Sequence, residues 1–307
     1  MITPSPSCTP ECEIVPQRIL RVDDLSDDDI NFILERAGRY ADGERPARSP
    51  ALIGLGFFET SLRTRVGFTA AAHRIGATVV EVNERRASEI SMPESLADTI
   101  RTVSGYVDAL VVRSGRPSGD LAVAARPDVP WFNAGDRGEH AEHPSQALLD
   151  LFAIERLLGP ISEQRVALCG DLRSRAARSL LALLARRRPL SVALVTDPSL
   201  LEGFSLPSVL EPITSSHHPD DLAGTSVLYA IGIPHGGATE PVRSRLRVDC
   251  RLLDALPEQT IVLSPMPIID EIATTARHDP RMRYFEQSDL GLHVRTALLE
   301  WIIPRLP

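Results

Sequence analysis

The sequence predicts an α/β protein made of two doubly wound α/β domains, each built on a parallel sheet. Short apolar runs alternate along the chain with segments of helical spacing, which is the pattern of β-α units. The 307 residues, 43% of them hydrophobic, can bury a large core, and this length favours two domains over one. The sequence has no internal repeat and no run of 18 apolar residues, so we expect neither a repeat array nor a membrane protein.

The first domain is expected to span residues 17–147, after a leader (1–16) rich in Pro, Ser and Thr that we expect to be disordered. Ser26 followed by three aspartates is typical of a helix start, because an acidic first turn interacts favourably with the helix dipole. The apolar run Ala51–Phe58 has the length and composition of a strand buried on both faces. The same patterns predict strands at Thr78–Val82 and Ala109–Val112, and helices from Ser61, at Ser95–Tyr106 and at Ser145–Leu158.

The second domain is expected to span residues 148–290. Its predicted elements are strands at Arg165–Cys169, Ser191–Val195, Val227–Ile231 and Thr260–Leu263, and a helix at Arg175–Arg187. A last helix over residues 291–303 is expected to pack back on the first domain.

Composition and charge limit the kinds of ligand that the protein can bind. The formal net charge of −8 argues against nucleic acid, although arginine clusters can still bind small anions such as phosphate. All 33 basic residues are arginine, so no lysine can take part in the chemistry. The four cysteines are few and scattered, and outside the leader, which holds Cys8 and Cys12, no His or Cys pair suggests a zinc site. We therefore expect no metal, and no organic cofactor is implied either. The amino terminus lacks the basic residues and apolar stretch of a signal peptide, which favours a cytoplasmic protein.

The first motif with chemical potential is Phe57–Arg65, where a buried strand runs directly into a helix. A helix amino terminus offers free N–H groups and a positive dipole end, and Arg63 adds a forked cation suited to phosphate. These residues therefore indicate a phosphate site. The alternative, in which Ser61 only caps the helix and Arg63 is solvated, is equally compatible with this segment alone.

The second motif is His143–Gln146, where a loop enters a helix. Residues three apart occupy neighbouring positions on a helix face, so His143 and Gln146 can converge on one small ligand. A single histidine is more often structural, and the accompanying Pro144 and Ser145 improve the odds of a functional role only modestly.

Together these motifs resemble the aspartate and ornithine carbamoyltransferase family, whose Ser-Thr-Arg-Thr and His-Pro-Thr-Gln segments bind carbamoyl phosphate. The resemblance covers about residues 17–303 and implies two α/β domains, carbamoyl transfer, and a homotrimer whose loop Glu84–Glu94 reaches the neighbouring subunit's active site. The stretches that carry it are Phe57–Gly76, Glu94–Thr99, Asn133–Asp150, Gly170–Ser179, Ser264–Pro267 and Gln287–Leu299.

The resemblance also implies roles for single residues. The phosphate would be bound by Ser61, the Leu62 backbone, Arg63 and Thr64, and Arg113 would bridge the phosphate and the carbonyl group. His143 would donate a hydrogen bond to the carbonyl oxygen. The carbamoyl nitrogen would be held by Gln146 and by the backbone carbonyls of Pro265 and Met266. Of these, Arg63, Thr64, Arg113 and His143 would be catalytic, since they surround the oxygen that gains charge.

The acceptor side departs from the family pattern. Met92 stands where the aspartate enzymes carry a lysine, and their Arg-x-Gln set is missing from Tyr229–His235. Ala230-Ile231-Gly232 matches the Ser-Met-Gly of the ornithine enzymes only at the glycine. Arg175 aligns with an acceptor-binding arginine, although it could instead pair with a carboxylate such as Asp171. The candidate acceptor-binding residues are Met92, Arg175, Ile231 and His235.

These departures favour a larger, less charged acceptor, because unpaired acid groups are costly to bury. We therefore predict O-carbamoylation of a natural-product hydroxyl, as in tailoring of a venturicidin-type antibiotic. The departing phosphate, His235 or Asp136 could then remove the hydroxyl proton. One alternative is N-carbamoylation of aspartate or another amine, and a second is a non-catalytic binding protein with the same fold.

Overall fold

The computed structural model describes residues 17–83, 94–201, 204–205, 213–216, 222 and 224–303. Two five-stranded parallel sheets form its framework. Sheet A contains, in spatial order, β1 (Arg18–Ile19), β5 (Trp131–Asn133), β4 (Ala109–Arg113), β2 (Leu52–Phe57) and β3 (Thr78–Asn83). Sheet B contains β10 (Ile261–Leu263), β9 (Val227–Ile231), β6 (Arg165–Gly170), β7 (Ser191–Val195) and β8 (Ile213–Ser216).

Helices cover the sheets. In the described part of the chain they are α1 (Asp27–Ala41), α2 (Leu62–Arg74), α3 (Leu96–Val103), α4 (Ser118–Ala122), α5 (Pro144–Leu158), α6 (Arg175–Arg187), α7 (Glu240–Leu246), α8 (Cys250–Ala255) and α9 (Tyr284–Ile302). Within this part, no helix combines the length and apolar character needed to cross a bilayer. The predicted architecture of two parallel-sheet α/β domains is confirmed.

The central strands are held by apolar burial. β4 is buried along its whole length, and in β2 the residues from Ile53 to Phe57 are buried. The register between β2 and β4 places Phe57 beside Arg113, so the carboxyl ends of both strands reach the same edge of sheet A. Parallel sheets of this kind bind ligands at that edge.

Some elements are absent from the prediction. β1 and β5 have only two and three residues, too few to show a periodic pattern. β5 pairs with β4 along its length, and β1 pairs with β5 through Arg18 and Trp131. α9 begins at Tyr284, two turns before the predicted start at Gly291. The leader (1–16) and Met92 lie outside the described residues.

α9 packs against helices that come much earlier in the chain. It packs against α1, α2 and α5, and the apolar residues Val294, Ala297 and Leu298 are buried there. The division at residue 147 falls inside α5, which contacts both α6 and α9. The limits 17–147 and 148–290 therefore remain a proposal.

Candidate active site

A cleft of about 510 Å³ lies between the carboxyl ends of the two sheets. Both sheets and α9 contribute to it. Its lining includes Ser61, Leu62, Arg63, Thr64, Arg113, His143, Gln146, Arg175, Ile231, Gly232, Pro234, Ser264, Pro265, Met266, Glu271, Gln287 and Arg295. The donor-side residues predicted from the two motifs thus meet in one cavity.

The first wall of the cleft is the amino terminus of α2. Ser61 is its cap residue, but its side chain makes no capping hydrogen bond, whereas Ser26 and Ser174 cap α1 and α6 in the usual way. The first-turn N–H groups of α2 and the Ser61 hydroxyl are therefore available to an anion. Arg63 is half-buried, burial lowers its pKa, and among the described residues it has no carboxylate partner.

Arg113 lies at the end of β4, next to this wall. Its Nη1 donates to the Ala134 carbonyl at 3.3 Å and lies 3.4 Å from the His143 Nε2, while its Nη2 is 3.3 Å from the Glu59 carboxylate. Its Nε is buried and has no hydrogen-bond partner in the described structure. Burial, reinforced by Arg175, lowers the pKa of Arg113 to about 10, so the group stays charged at neutral pH.

His143 caps α5 and is buried beside Arg113. The Ser145 hydroxyl lies 3.3 Å from its Nδ1, and its backbone N–H donates to the Ser179 hydroxyl at 2.8 Å. Burial, together with the charges of Arg113 and Arg175, holds the pKa of His143 well below its usual value. The ring is therefore neutral and can offer one N–H to a ligand oxygen.

Gly135 allows Arg113 and His143 to approach each other. A Cβ at this position would lie 2.7 Å from the Arg113 Nη1 and 3.1 Å from the His143 Cδ2. Its φ of +110° is also one that other residues rarely adopt. The loop thus needs glycine at this position.

Glu59 is the counter-charge of the cleft. Its carboxylate pairs with Arg113, with Arg175 at 3.0 Å, and with the exposed Arg137. Burial works against the charged form, but Arg175, Arg137 and Arg113 outweigh it and lower the pKa of Glu59. One carboxylate therefore orients guanidinium groups from both sides of the cleft.

The groups predicted to hold a carbamoyl nitrogen lie on opposite walls. Gln146 projects from the first turns of α5, and Pro265 and Met266 follow β10. Met266 has a left-handed φ of 52°, and its N–H donates to the Ser264 hydroxyl at 3.1 Å. The loop after β10 is thus held in an unusual backbone conformation at the cleft.

The residues predicted to bind the acceptor do not all lie in the cleft. Arg175 lies in the cleft and donates to Glu59 and to the Asp136 carbonyl at 2.7 Å, while Asp171 pairs with Arg173 instead. Ile231 lines the cleft. His235 is exposed and is not part of the lining, so the structure does not bring it to the site.

Sequence reasoning missed Arg295 and Gln287, which α9 brings into the cleft. Arg295 is 4% exposed, its guanidinium lies 5.8 Å from the centre of the Phe68 ring, and its Nε has no hydrogen-bond partner within the described chain. Burial lowers its pKa to about 10. The available signal was a charged residue among the buried positions of α9, between Val294 and Ala297.

A family model, named relatives and solved structures all relate this chain to carbamoyltransferases. Residues 17–156 match the model of the carbamoyl-P binding domain of aspartate/ornithine carbamoyltransferases. The aspartate carbamoyltransferase catalytic subunit of Archaeoglobus fulgidus is 33% identical over 299 residues, covering 94% of this chain and 99% of that protein. The enzyme of Oryza sativa subsp. japonica, named aspartate carbamoyltransferase, chloroplastic, is 34% identical over 80% of this chain and 71% of its own length.

Solved structures agree. Aspartate transcarbamoylase from Trypanosoma cruzi in complex with carbamoyl phosphate and aspartate superposes with a TM-score of 0.77 at 31% identity, covering 94% of this chain and 97% of that one. The same enzyme with carbamoyl aspartate and phosphate gives a TM-score of 0.78.

These relatives correct the predicted reaction. The prediction of O-carbamoylation in antibiotic tailoring is wrong, because the relatives that match most of the chain are aspartate carbamoyltransferases. That prediction rested on missing acceptor residues and did not account for Arg295, which adds a fourth guanidinium to a cleft already lined by Arg63, Arg113 and Arg175. Such a cleft suits an anionic substrate better than a neutral hydroxyl.

Because the relatives that match most of the chain are enzymes of this one kind, the chain is a carbamoyltransferase. It belongs to the aspartate/ornithine carbamoyltransferase family.

Proposed function

We propose that this enzyme transfers the carbamoyl group of carbamoyl phosphate to the amino group of aspartate and releases phosphate. The observation that carries the proposal is the charge of the cleft: four guanidinium groups line it, and within the described residues neither Arg63 nor Arg295 forms a salt bridge. The charge of the buried Asp150 acts against the lowering of the Arg295 pKa, but burial outweighs it. A phosphorylated donor and a dicarboxylate acceptor would supply the missing negative charge. The relatives point to the same pair of substrates.

The donor would bind with its phosphate at the amino terminus of α2. The Ser61 hydroxyl, the Leu62 backbone and the side chains of Arg63 and Thr64 would hold the phosphate oxygens, and Arg113 would reach both phosphate and carbonyl. Gln146 and the backbone carbonyls of Pro265 and Met266 would accept hydrogen bonds from the carbamoyl NH₂ group. The donor would then span the cleft from sheet A to sheet B.

The transition state would be stabilised by the groups around the carbonyl oxygen. As the amine attacks the carbonyl carbon, that oxygen gains negative charge, and donors from Thr64, Arg113 and the neutral His143 favour this charge over the ground state. The tetrahedral intermediate collapses as the C–O bond to phosphate breaks. The departing phosphate can take the proton that the amine releases.

Aspartate would bind on the side of sheet B. Arg175 is the acceptor-side arginine that the cleft retains, and Ile231, Gly232 and Pro234 form the neighbouring surface. Because the Arg-x-Gln set is missing, fewer cations grip the two carboxylates. We therefore expect a higher KM for aspartate than in enzymes that carry that set.

The test combines binding with product analysis. Calorimetry should show binding of carbamoyl phosphate, and mass spectrometry should show carbamoyl aspartate when aspartate is added, with much less product from ornithine. Arg63→Ala should lower kcat/KM by ~10²- to 10³-fold, the usual cost of removing a group that stabilises the transition state. Absence of carbamoyl aspartate at millimolar concentrations of both substrates would overturn the proposal.

Arg65→Ala is the matched control for Arg63→Ala. Arg65 lies in the same turn of α2, but its guanidinium points to Glu81 at 3.5 Å and its side chain is 41% exposed. Its removal should leave both substrates' kinetics close to wild type. Equal losses in the two variants would indicate damage to the helix and not to a phosphate site.

We also propose that the enzyme is a homotrimer with shared active sites, as the family resemblance implies. Leu62 and Val66 support this, because these two apolar side chains lie one turn apart on α2, Leu62 lines the cleft, and they are 68% and 52% exposed. A second copy of the chain would cover them.

A further inference from the structure

Asp150 is a fully buried carboxylate that lies one helical turn after Gln146 and behind the cleft. Its Oδ1 accepts two hydrogen bonds, from the Gln146 Nε2 at 2.7 Å and from the Gln287 Nε2 at 2.5 Å. Its Oδ2 accepts a third from the Tyr229 hydroxyl at 2.6 Å. One carboxylate therefore joins α5, α9 and β9, which belong to both sides of the cleft.

This carboxylate determines which way the two glutamine amides point. A primary amide has a donor end (NH₂) and an acceptor end (C=O), and an oxygen that accepts from both amides must face their NH₂ ends. The Gln287 Oε1, at the opposite end, accepts from the Ser264 N–H at 3.0 Å. The Gln146 Oε1 receives no hydrogen bond from the described residues, and Gln146 lines the cleft, so its carbonyl end is free to accept a hydrogen bond there.

The same network reaches the opposite wall. Ser264 is held by Gln287 through its N–H, and its hydroxyl accepts from the Met266 N–H. Glu271 fixes the other end of this loop, since its carboxylate accepts from the Ile269 N–H at 2.8 Å. The backbone carbonyls of Pro265 and Met266 thus belong to a loop whose position depends on Gln287.

We propose that Asp150 is a positioning residue that makes the cleft selective for the NH₂ group of the donor. It turns the Gln146 carbonyl toward that group and, through Gln287 and Ser264, holds the loop whose carbonyls face the same group. The inference rests on the proposed function, because it assumes that carbamoyl phosphate occupies the cleft. Asp150 itself does not touch the substrate.

Acetyl phosphate is the probe for this role, because it replaces the carbamoyl NH₂ with a methyl group and keeps the phosphate. The measured quantity is the ratio of the Kd values of acetyl phosphate and carbamoyl phosphate, determined by calorimetry. Wild type should prefer carbamoyl phosphate. Asp150→Leu, which is similar in size but accepts no hydrogen bond, should reduce this preference about tenfold, since it frees the Gln146 amide to rotate.

Two further measurements distinguish a positioning role of Asp150 from a purely structural one. Inorganic phosphate should bind Asp150→Leu as it binds wild type, because Ser61–Thr64 and Arg113 do not depend on the network. Tyr229→Phe is the matched control: it removes a buried hydrogen bond to the other oxygen of Asp150, leaves both glutamines in place, and should keep the preference. A parallel loss of phosphate binding in Asp150→Leu, or an unchanged preference, would overturn the inference.

Failure of the donor assignment, on which the proposed function depends, would look different, since wild type would then not bind carbamoyl phosphate at all. Failure of the acceptor assignment alone would leave the ratio of Kd values measurable. If Asp150→Leu does not fold, a second pair of variants gives the answer. Gln287→Met releases Ser264 while Asp150 stays, and should lower the preference. Asp150→Asn can still present an oxygen to both glutamines and should retain it. A preference that is retained in Gln287→Met but lowered in Asp150→Asn would also overturn the inference.

Discussion

At the scale of single residues, charge is balanced around Glu59. It pairs with Arg175, which faces the acceptor side of the cleft, and with Arg137, which is 67% exposed and does not line the cleft. Both arginines therefore help to hold Glu59, but only Arg175 is placed to touch a ligand. This difference makes the pair a test of acceptor binding.

Arg175→Ala should raise the KM for aspartate about 10- to 100-fold, the range expected for a lost hydrogen bond to a charged carboxylate. The Kd of carbamoyl phosphate should change far less, because Ser61–Thr64 remain. Steady-state kinetics with each substrate varied in turn would measure both quantities. Arg137→Ala should change neither, and equal effects of the two variants would argue against an acceptor role for Arg175.

The buried carboxylate of Asp150 should make stability depend on pH. Burial raises its pKa to about 7, above the value of about 4 in an unfolded chain. The protonated form therefore favours folding: its contribution is complete below pH 4 and is lost as the pH rises through 7. At about 1.4 kcal/mol per pH unit, wild type should lose on the order of 2–3 kcal/mol between pH 5 and pH 8 relative to Asp150→Asn.

Urea unfolding of both proteins at the two pH values measures this difference. Asp289→Asn, at an exposed position of α9, serves as the control for the removal of one carboxyl group. A constant difference for Asp150→Asn would mean that the carboxylate stays ionised in the fold.

Residues next to one another in the chain were predictable, and residues that meet only in three dimensions were not. Ser61–Thr64 and His143–Gln146 are short segments in which spacing alone indicates a shared ligand. Gln287, in contrast, reaches Asp150 across 137 positions of sequence. The acceptor prediction was wrong for a related reason, because it counted residues missing from one segment while Arg295 entered the cleft from another.

At the scale of elements, the contact between α2 and α9 depends on two glycines. A Cβ at Gly67 would lie 2.9 Å from the Arg295 Cδ, and one at Gly291 would lie 2.4 Å from the Arg295 Nη1. Both glycines lie inside helices, where glycine normally lowers stability relative to alanine. A larger residue at either position would overlap the Arg295 side chain, so glycine provides the space that this side chain occupies.

Gly67→Ala should therefore destabilise the protein by ~1–3 kcal/mol and weaken carbamoyl phosphate binding, because the new methyl group displaces Arg295. Gly38→Ala in α1 is the matched control: its nearest neighbour atom is the Phe152 Cε2 at 4.0 Å, so this change should stabilise by up to ~1 kcal/mol. Thermal unfolding and calorimetry measure both effects. A stabilised Gly67→Ala with normal binding would contradict the role given to this contact.

Elements with strong local patterns were predicted within a residue or two, as the strands of both sheet centres show. α9 was not, because its first two turns contain Glu286, Ser288 and Asp289 among apolar residues, and its burial comes from three other helices. β1 forms only through its pairing with β5. Tertiary packing and not local sequence fixes such elements.

At the scale of the whole molecule, assembly can be tested through an exposed apolar side chain. Sedimentation should give a mass three times the 33.5 kDa of one chain. Val66→Arg places a charge on α2 one turn after Leu62, where a second copy is expected, and should shift the mass toward that of one chain while lowering activity. Leu190→Arg changes a residue of almost equal exposure, 53% against 52%, beside sheet B and should leave the mass unchanged.

The position of α9 has a consequence for synthesis. In chain order the helix follows every strand of both sheets, yet it packs against α1 and α2 and carries Gln287 and Arg295 into the cleft. Domains usually fold in the order in which they are made. Here the helices of the amino-terminal half keep part of their apolar surface uncovered until α9 itself has been synthesised.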